Sequence, residues 1–232
     1  MTEHPQWTID PGVKVLCRDC TAECCKHIGI PIDEPKTWED WQRIRHYVAH
    51  ENVRVYLDSE DDWVVEFTTK CGQLNGNKCM AWNTPDYPSI CTEYEMTTCV
   101  MNEEGDWWQI MFTIPGDVDA HMVKLGLTGA PVVPLGPCVS VPVDDLEDLK
   151  DFDDIRWYLA HRDVMAYRKG SRWLVHLNAM CKDCDANNSH IPKESEYDLA
   201  LKNWDDVKRY CIENKVPQPK KPQGKAGLKF IG

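Results

Sequence analysis

The chain has no apolar run of the ~18 residues needed to cross a bilayer as a helix, so no membrane-spanning segment is expected. Its opening, MTEHPQWTID, lacks the basic start, apolar core and small-residue cleavage site of a secretory signal. A cytoplasmic protein is expected, in a compartment where thiols stay reduced, and a disulfide framework is disfavoured. Positive charge is also short. Against 38 Asp and Glu stand 26 Lys and Arg, a formal net charge of −12, which opposes binding to a phosphate backbone and argues against a nucleic-acid reader. The Cys-Pro ending of ferredoxin loops and a His-rich open metal site are missing too.

What the chain does have is cysteine. With 232 residues, 42% of them hydrophobic, it can fill a core without staples. It nonetheless carries 12 cysteines, more than packing asks for, so their role is chemical. Four crowd into CRDCTAECC, at Cys17, Cys20, Cys24 and Cys25, and Cys71, Cys79, Cys91 and Cys99 follow. A C-x-x-C turn lets two thiolates converge on one ion while loop amides support the sulfurs. Neighbouring side chains of extended backbone diverge, so Cys24 and Cys25 are expected to serve two sites, and eight thiolates then make two four-ligand sites.

The architecture is read from periodicity. IGIPI at 28–32 alternates as a short strand. Thr37 opens a helix, TWEDWQRIRHYVAHE, with Asp40 in capping-box position, and VRVYL (53–57) and WVVEF (63–67) form a hairpin about the turn DSEDD. That pattern recurs. Residues 44–71 align with 155–181 across a one-residue gap in the hairpin turn, with ten identical positions that include the Ile-Arg pair, the Ala-His pair, the hairpin Trp and the terminal Cys. The fold expected is α+β, a small, loop-rich, cysteine-rich metal-binding unit of helix plus β-hairpin duplicated in tandem. The first unit spans 1–125, a Gly/Pro-rich linker 126–137, a degenerate repeat 138–214 and a Lys/Pro-rich tail 215–232. The second copy keeps Cys138, Cys181, Cys184 and Cys211, with His190 near the place of Cys79 as a substitute ligand. A third metal site and a copy retained for packing both stay open.

The run C-x-x-C-x-x-x-C-C, the IGIPI strand, the helix, the Trp-bearing hairpin, Cys71-x7-Cys79 and then PSICTEY with Cys99 resemble the YkgJ cysteine-cluster family, a zinc- or iron-chelating domain. The resemblance covers roughly residues 14–100, and all eight first-copy cysteines have counterparts in it. Two positions depart from it: Tyr87 and Thr92 stand where the family has Arg. CCKHIGIPIDEPKTW is more faintly similar to the region after the cluster in flagellin lysine methylases, which implies an enzyme with an iron–sulfur cluster as an alternative. All-thiolate sites suit Zn²⁺ and iron–sulfur alike, so the cofactor is a 4Fe–4S cluster or Zn²⁺.

The function expected is metal binding in all-cysteine sites, in an accessory or electron-transfer role. An iron–sulfur enzyme and a structural zinc protein are the alternatives, and no general-base constellation favours the enzyme. The tail from Lys215, with five lysines and no acid, is expected to be solvated or to dock on a protein partner. His50 and His161 end the two helices, where an imidazolium would cap the helix dipole. Asp144, Asp145, Glu147, Asp148, Asp151, Asp153 and Asp154 read as an acidic helix start, and Trp38, Trp41, Trp63, Trp157 and Trp173 as core. Trp107 and Trp108 must face opposite ways on a strand, which would leave one exposed.

Overall fold

Alternation in HIGIPI puts Ile28, Ile30 and Ile32 on one face, and the chain runs as strand β1 (His27–Ile32). The computed structural model describes residues 21–82, 84, 87–92, 107–127, 129, 139–143, 146–181 and 191–217. Cys17, Cys20, Cys99, Cys138, Cys184, His190, Asp144, Asp145, most of the linker and the tail beyond Pro217 lie outside them. Helix α1 (Trp38–Tyr47) follows, closed by a capping box in which the Thr37 hydroxyl accepts from the Asp40 amide and the Asp40 carboxylate accepts from the Thr37 amide. Strands β2 (Val53–Asp58) and β3 (Trp63–Thr68) form the expected hairpin. A small ribbon comes next, β4 (Leu74–Asn75) with β5 (Lys78–Cys79), and then a single helical turn, α2 (Ser89–Thr92). Strand β6 (Trp108–Phe112) and helix α3 (Pro115–Lys124) complete this half.

The second half follows the same plan. Its elements are β7 (Ser140–Val143), α4 (Leu149–Tyr158), the hairpin β8 (Val164–Lys169) and β9 (Arg172–Leu177), then β10 (Leu199–Leu201) and α5 (Trp204–Glu213). The two four-stranded antiparallel sheets have matching orders, β1-β3-β2-β6 and β7-β9-β8-β10. Each edge strand that opens a half carries a proline, Pro31 or Pro142, a residue tolerated where one side of the strand needs no ladder donor. The turn from helix to hairpin uses a left-handed residue in both, Asn52 (φ 63°) and Asp163 (φ 61°), the residue types that accept this conformation. Helix packs on hairpin through one aromatic pair in each half: Trp41 meets Trp63 at 5.5 Å and 89°, and Phe152 meets Trp173 at 5.7 Å and 89°.

One core joins the two sheets. Ile28, Ile30, Val55 and Val65 of the first and Val139, Val141, Val175 and Leu177 of the second belong to the same buried cluster. Each such side chain contributes about 1.5–3 kcal/mol of hydrophobic stabilisation, so neither half's inner face is an independent surface. Trp41, Trp63, Trp157 and Trp173 are buried and Trp38 half-buried against this core, as their repeat positions imply. The acidic run does start a helix: the Asp148 side chain accepts from the amides of Lys150 and Asp151. Trp107 and Trp108 differ from expectation. The register shift between Leu57 and Asp58 lets both pack on Tyr56 and Val64, and neither is exposed. Val216 and Pro217, at the start of the Lys-rich segment, are tied down: the Val216 amide donates to Cys211 O at 3.0 Å and Pro217 O accepts from the Leu149 amide at 2.9 Å. Among the described residues no helix is long and apolar enough to cross a membrane.

Candidate metal centre

The halves meet through exchanged backbone contacts. His50 bridges Cys181 and Cys71 bridges His161, each as an isolated antiparallel pair. Beside them the Glu51 amide donates to Met180 O at 2.8 Å, and the Arg162 amide to Lys70 O at 3.2 Å, again at positions the sequence alignment equates. Gly72 adds a bond from its amide to Ala160 O at 2.7 Å. A Cβ on Gly72 would stand 3.1 Å from that oxygen, tighter than most contacts, which gives glycine a steric reason at this position.

Around this junction the first-half cysteines gather. A 3-10 turn, residues Glu23–Cys25, follows Ala22, whose φ of 62° sets its direction. Cys24 and Cys25 lie in this turn and not on extended backbone, so the divergence expected of an extended pair does not apply to them. The Cys71 amide donates to Cys25 O at 2.7 Å, which fastens the turn to the β4–β5 ribbon. Leu74 pairs with Cys79 in that ribbon, so Cys79 returns to the neighbourhood of Cys71. Cys91 arrives on α2. Its thiol is pushed up by burial and by the nearby Cys24, Cys71 and Cys79. The Cys71 thiol is raised by burial, then by Cys79 and Cys24, and that of Cys24 by its bond to Cys25 and by burial. Cys24, Cys25, Cys71, Cys79 and Cys91 therefore form one neighbourhood, drawn from four separate segments. All five are free thiols. Among the described residues no three His, Cys, Asp or Glu side chains are drawn close enough together to hold an ion. Three of the eight first-copy cysteines lie outside those residues.

The second-half cysteines are placed differently. Cys181 faces His50, while Cys211 lies on α5, its thiol raised by burial and by Asp153 of α4. Both are free thiols. The strand registers equate Gly29, opposite Glu66, with Ser140, opposite His176. By count along the chain, Cys138 then corresponds to His27, so it matches none of the four clustered cysteines of the first copy.

The two helix-end histidines cap their helices, though through a neutral ring at His161. His50 Nδ1–H donates to His46 O at 2.9 Å and His161 Nδ1–H to Trp157 O at 3.0 Å. Burial, with a smaller push from His27, lowers the His161 pKa to about 4, so its cap at neutral pH is a dipole and not a charge.

Sequence reasoning passed over the network that anchors the cysteine turn. Glu66, fully buried on β3, accepts at Oε1 from Arg54 Nε (2.6 Å) and His27 Nδ1 (3.0 Å). Lys26 bonds Glu23 at 2.8 Å, and Glu23 lies 3.9 Å from His27 Nε2, so a chain of polar contacts runs from the turn into the sheet. An acid at an alternating strand position reads as solvent-facing, and only the Arg54 directly opposite hints otherwise. A cleft of about 450 Å³ is lined by Gln73, Met80 and Ala81 from one half and Ala160, Trp204 and Lys208 from the other, with no cysteine among its lining residues. Comparison with family models, curated proteins and solved structures returns no match to this chain.

Proposed function

We propose that the protein binds a metal through cysteine thiolates, as the YkgJ resemblance implies, in an accessory or electron-transfer role, built on a duplicated helix–hairpin unit. The observation that carries this reading is the gathering of Cys24, Cys25, Cys71, Cys79 and Cys91 from four segments as free thiols. Cysteine kept for packing has no reason to converge across such sequence distances. The donor set fits Zn²⁺ or a 4Fe–4S cluster, both soft acceptors with tetrahedral local geometry. Cys17, Cys20 and Cys99 belong to the ligand set by the sequence pattern, and the Lys-rich tail is the segment suited to an acidic protein partner.

Anaerobic purification followed by metal analysis and visible spectroscopy tests the reading. A brown protein with iron and sulfide supports a cluster, a colourless zinc-loaded protein supports Zn²⁺, and a folded protein that retains and takes up neither rejects metal binding.

A further inference from the structure

Cysteines are not alone in this neighbourhood. Tyr87 turns in just before α2, its amide donating to Thr84 O at 3.0 Å and its ring packed edge-on against Trp82 at 5.1 Å. The phenol hydroxyl donates to Cys91 O at 3.2 Å. That carbonyl lies in a single-turn helix, where the last carbonyls have no intrahelical donor. The hydroxyl also stands within electrostatic reach of Cys91, Cys79, Cys24 and Cys25, four of the five gathered thiols. Trp82 is half exposed, and Tyr87 beside it is partly buried.

We propose that Tyr87 is a positioning residue of the metal site: its hydroxyl fixes the main chain of Cys91 and presents an O–H dipole beside the thiolates. This rests on the metal-binding reading. Groups that orient metal ligands typically change metal affinity about 10–100-fold when removed, without changing the ligand count. A dipole near the sulfurs of a bound cluster would also favour its reduced, more negative state. The ring's packing on Trp82 is separable from the hydroxyl, because phenylalanine keeps one and loses the other.

The test uses the full chain in three forms, wild type, Tyr87→Phe and Trp82→Leu, loaded with Co²⁺ and titrated against a chromophoric chelator. Tyr87→Phe is expected to bind as many ions as wild type with affinity about tenfold or more weaker, and with a displaced sulfur-to-cobalt charge-transfer band. Trp82→Leu, which leaves the hydroxyl, is expected to keep wild-type affinity. If the purified protein carries an iron–sulfur cluster, the readout is the midpoint potential, expected to fall in Tyr87→Phe. Affinity within twofold of wild type and an unshifted band or potential in Tyr87→Phe overturn the proposal, as does an equal loss in Trp82→Leu. A wild-type protein that takes up no metal overturns the metal-binding reading and this proposal with it. A metal-loaded wild type with an indifferent Tyr87→Phe overturns this proposal alone.

Discussion

Cys71 lies opposite His161 as an antiparallel bridge, and the positions aligned with them, Cys181 and His50, make the same bridge in the opposite sense. With the shared core, this exchange makes the folding of each half depend on the other. Val175→Ala, a fully buried change in the second half, should cost about 2 kcal/mol. Its effect should appear as one shifted transition in both far-UV circular dichroism and tryptophan fluorescence. Two separate transitions, one unmoved, would contradict the single core.

The His161 ring gives stability a pH dependence of defined sign. Its pKa is about 4 folded, against the ordinary histidine value of 6.5, so between these values the unfolded chain binds the extra proton. The stabilisation from the neutral ring is complete above pH 6.5 and fades as pH falls towards 4. The total is about 3 kcal/mol. Groups near it are His27, Trp157, Tyr158 and Cys71. Urea midpoints measured from pH 7.5 to 4.5 should fall faster for wild type than for His161→Asn, which lacks the titrating ring. Parallel slopes would sink the assignment.

Glu66 has no exposed surface and depends on Arg54 for its charge balance and on His27 for a second hydrogen bond. Arg54→Met leaves that carboxylate buried with one partner fewer and should cost about 3 kcal/mol or more. The aligned position in the second half is already methionine, Met165, and there the residue aligned with Glu66 is His176. Arg54→Met combined with Glu66→Val should therefore be less destabilised than Arg54→Met alone. Thermal melts of the two variants and wild type decide this, and a double variant that melts lowest argues that the pair stabilises beyond its charge balance.

Both long repeat helices open on the same device, Thr37 with Asp40 and Asp148 with Asp151. Thr37→Ala and Asp148→Ala should each cost about 1 kcal/mol. As the two caps share no hydrogen-bond partner, the combined variant should lose close to the sum. Denaturant unfolding of all three gives the comparison, and a clear departure from additivity would mean that the helix starts are coupled through the core.

Local signals carried most of what was legible beforehand. The Thr37 and Asp40 spacing, the alternation in IGIPI and the hairpin pattern each belong to a few adjacent residues, and the elements form where those residues put them. The fourth strand and last helix of each half were not foreseen. The chain between hairpin and fourth strand runs through residues 69–107 in one half and 178–198 in the other, so the alignment stops at Cys71 and Cys181 before reaching β6 and β10. Glu66 escaped notice because its burial comes from strands distant in sequence, and Tyr87 because its partner thiols converge only after folding. Their number and spacing had already marked the cysteines as a set. Which of them share a neighbourhood needed the ribbon that folds Cys79 back towards Cys71.

The exchanged bridges make the self-complementary contact of a two-fold dimer, closed here inside a single polypeptide. Its formation is first-order in protein, so dilution cannot part the two faces and subunit exchange cannot mix them. A homodimer must keep both copies of such a face identical, whereas a fused pair is free to specialise. Cys71 stands among four other gathered thiols and opposite His161, while its counterpart Cys181 stands opposite His50. The contact that holds the halves together thus joins two faces whose side chains differ, at fixed stoichiometry.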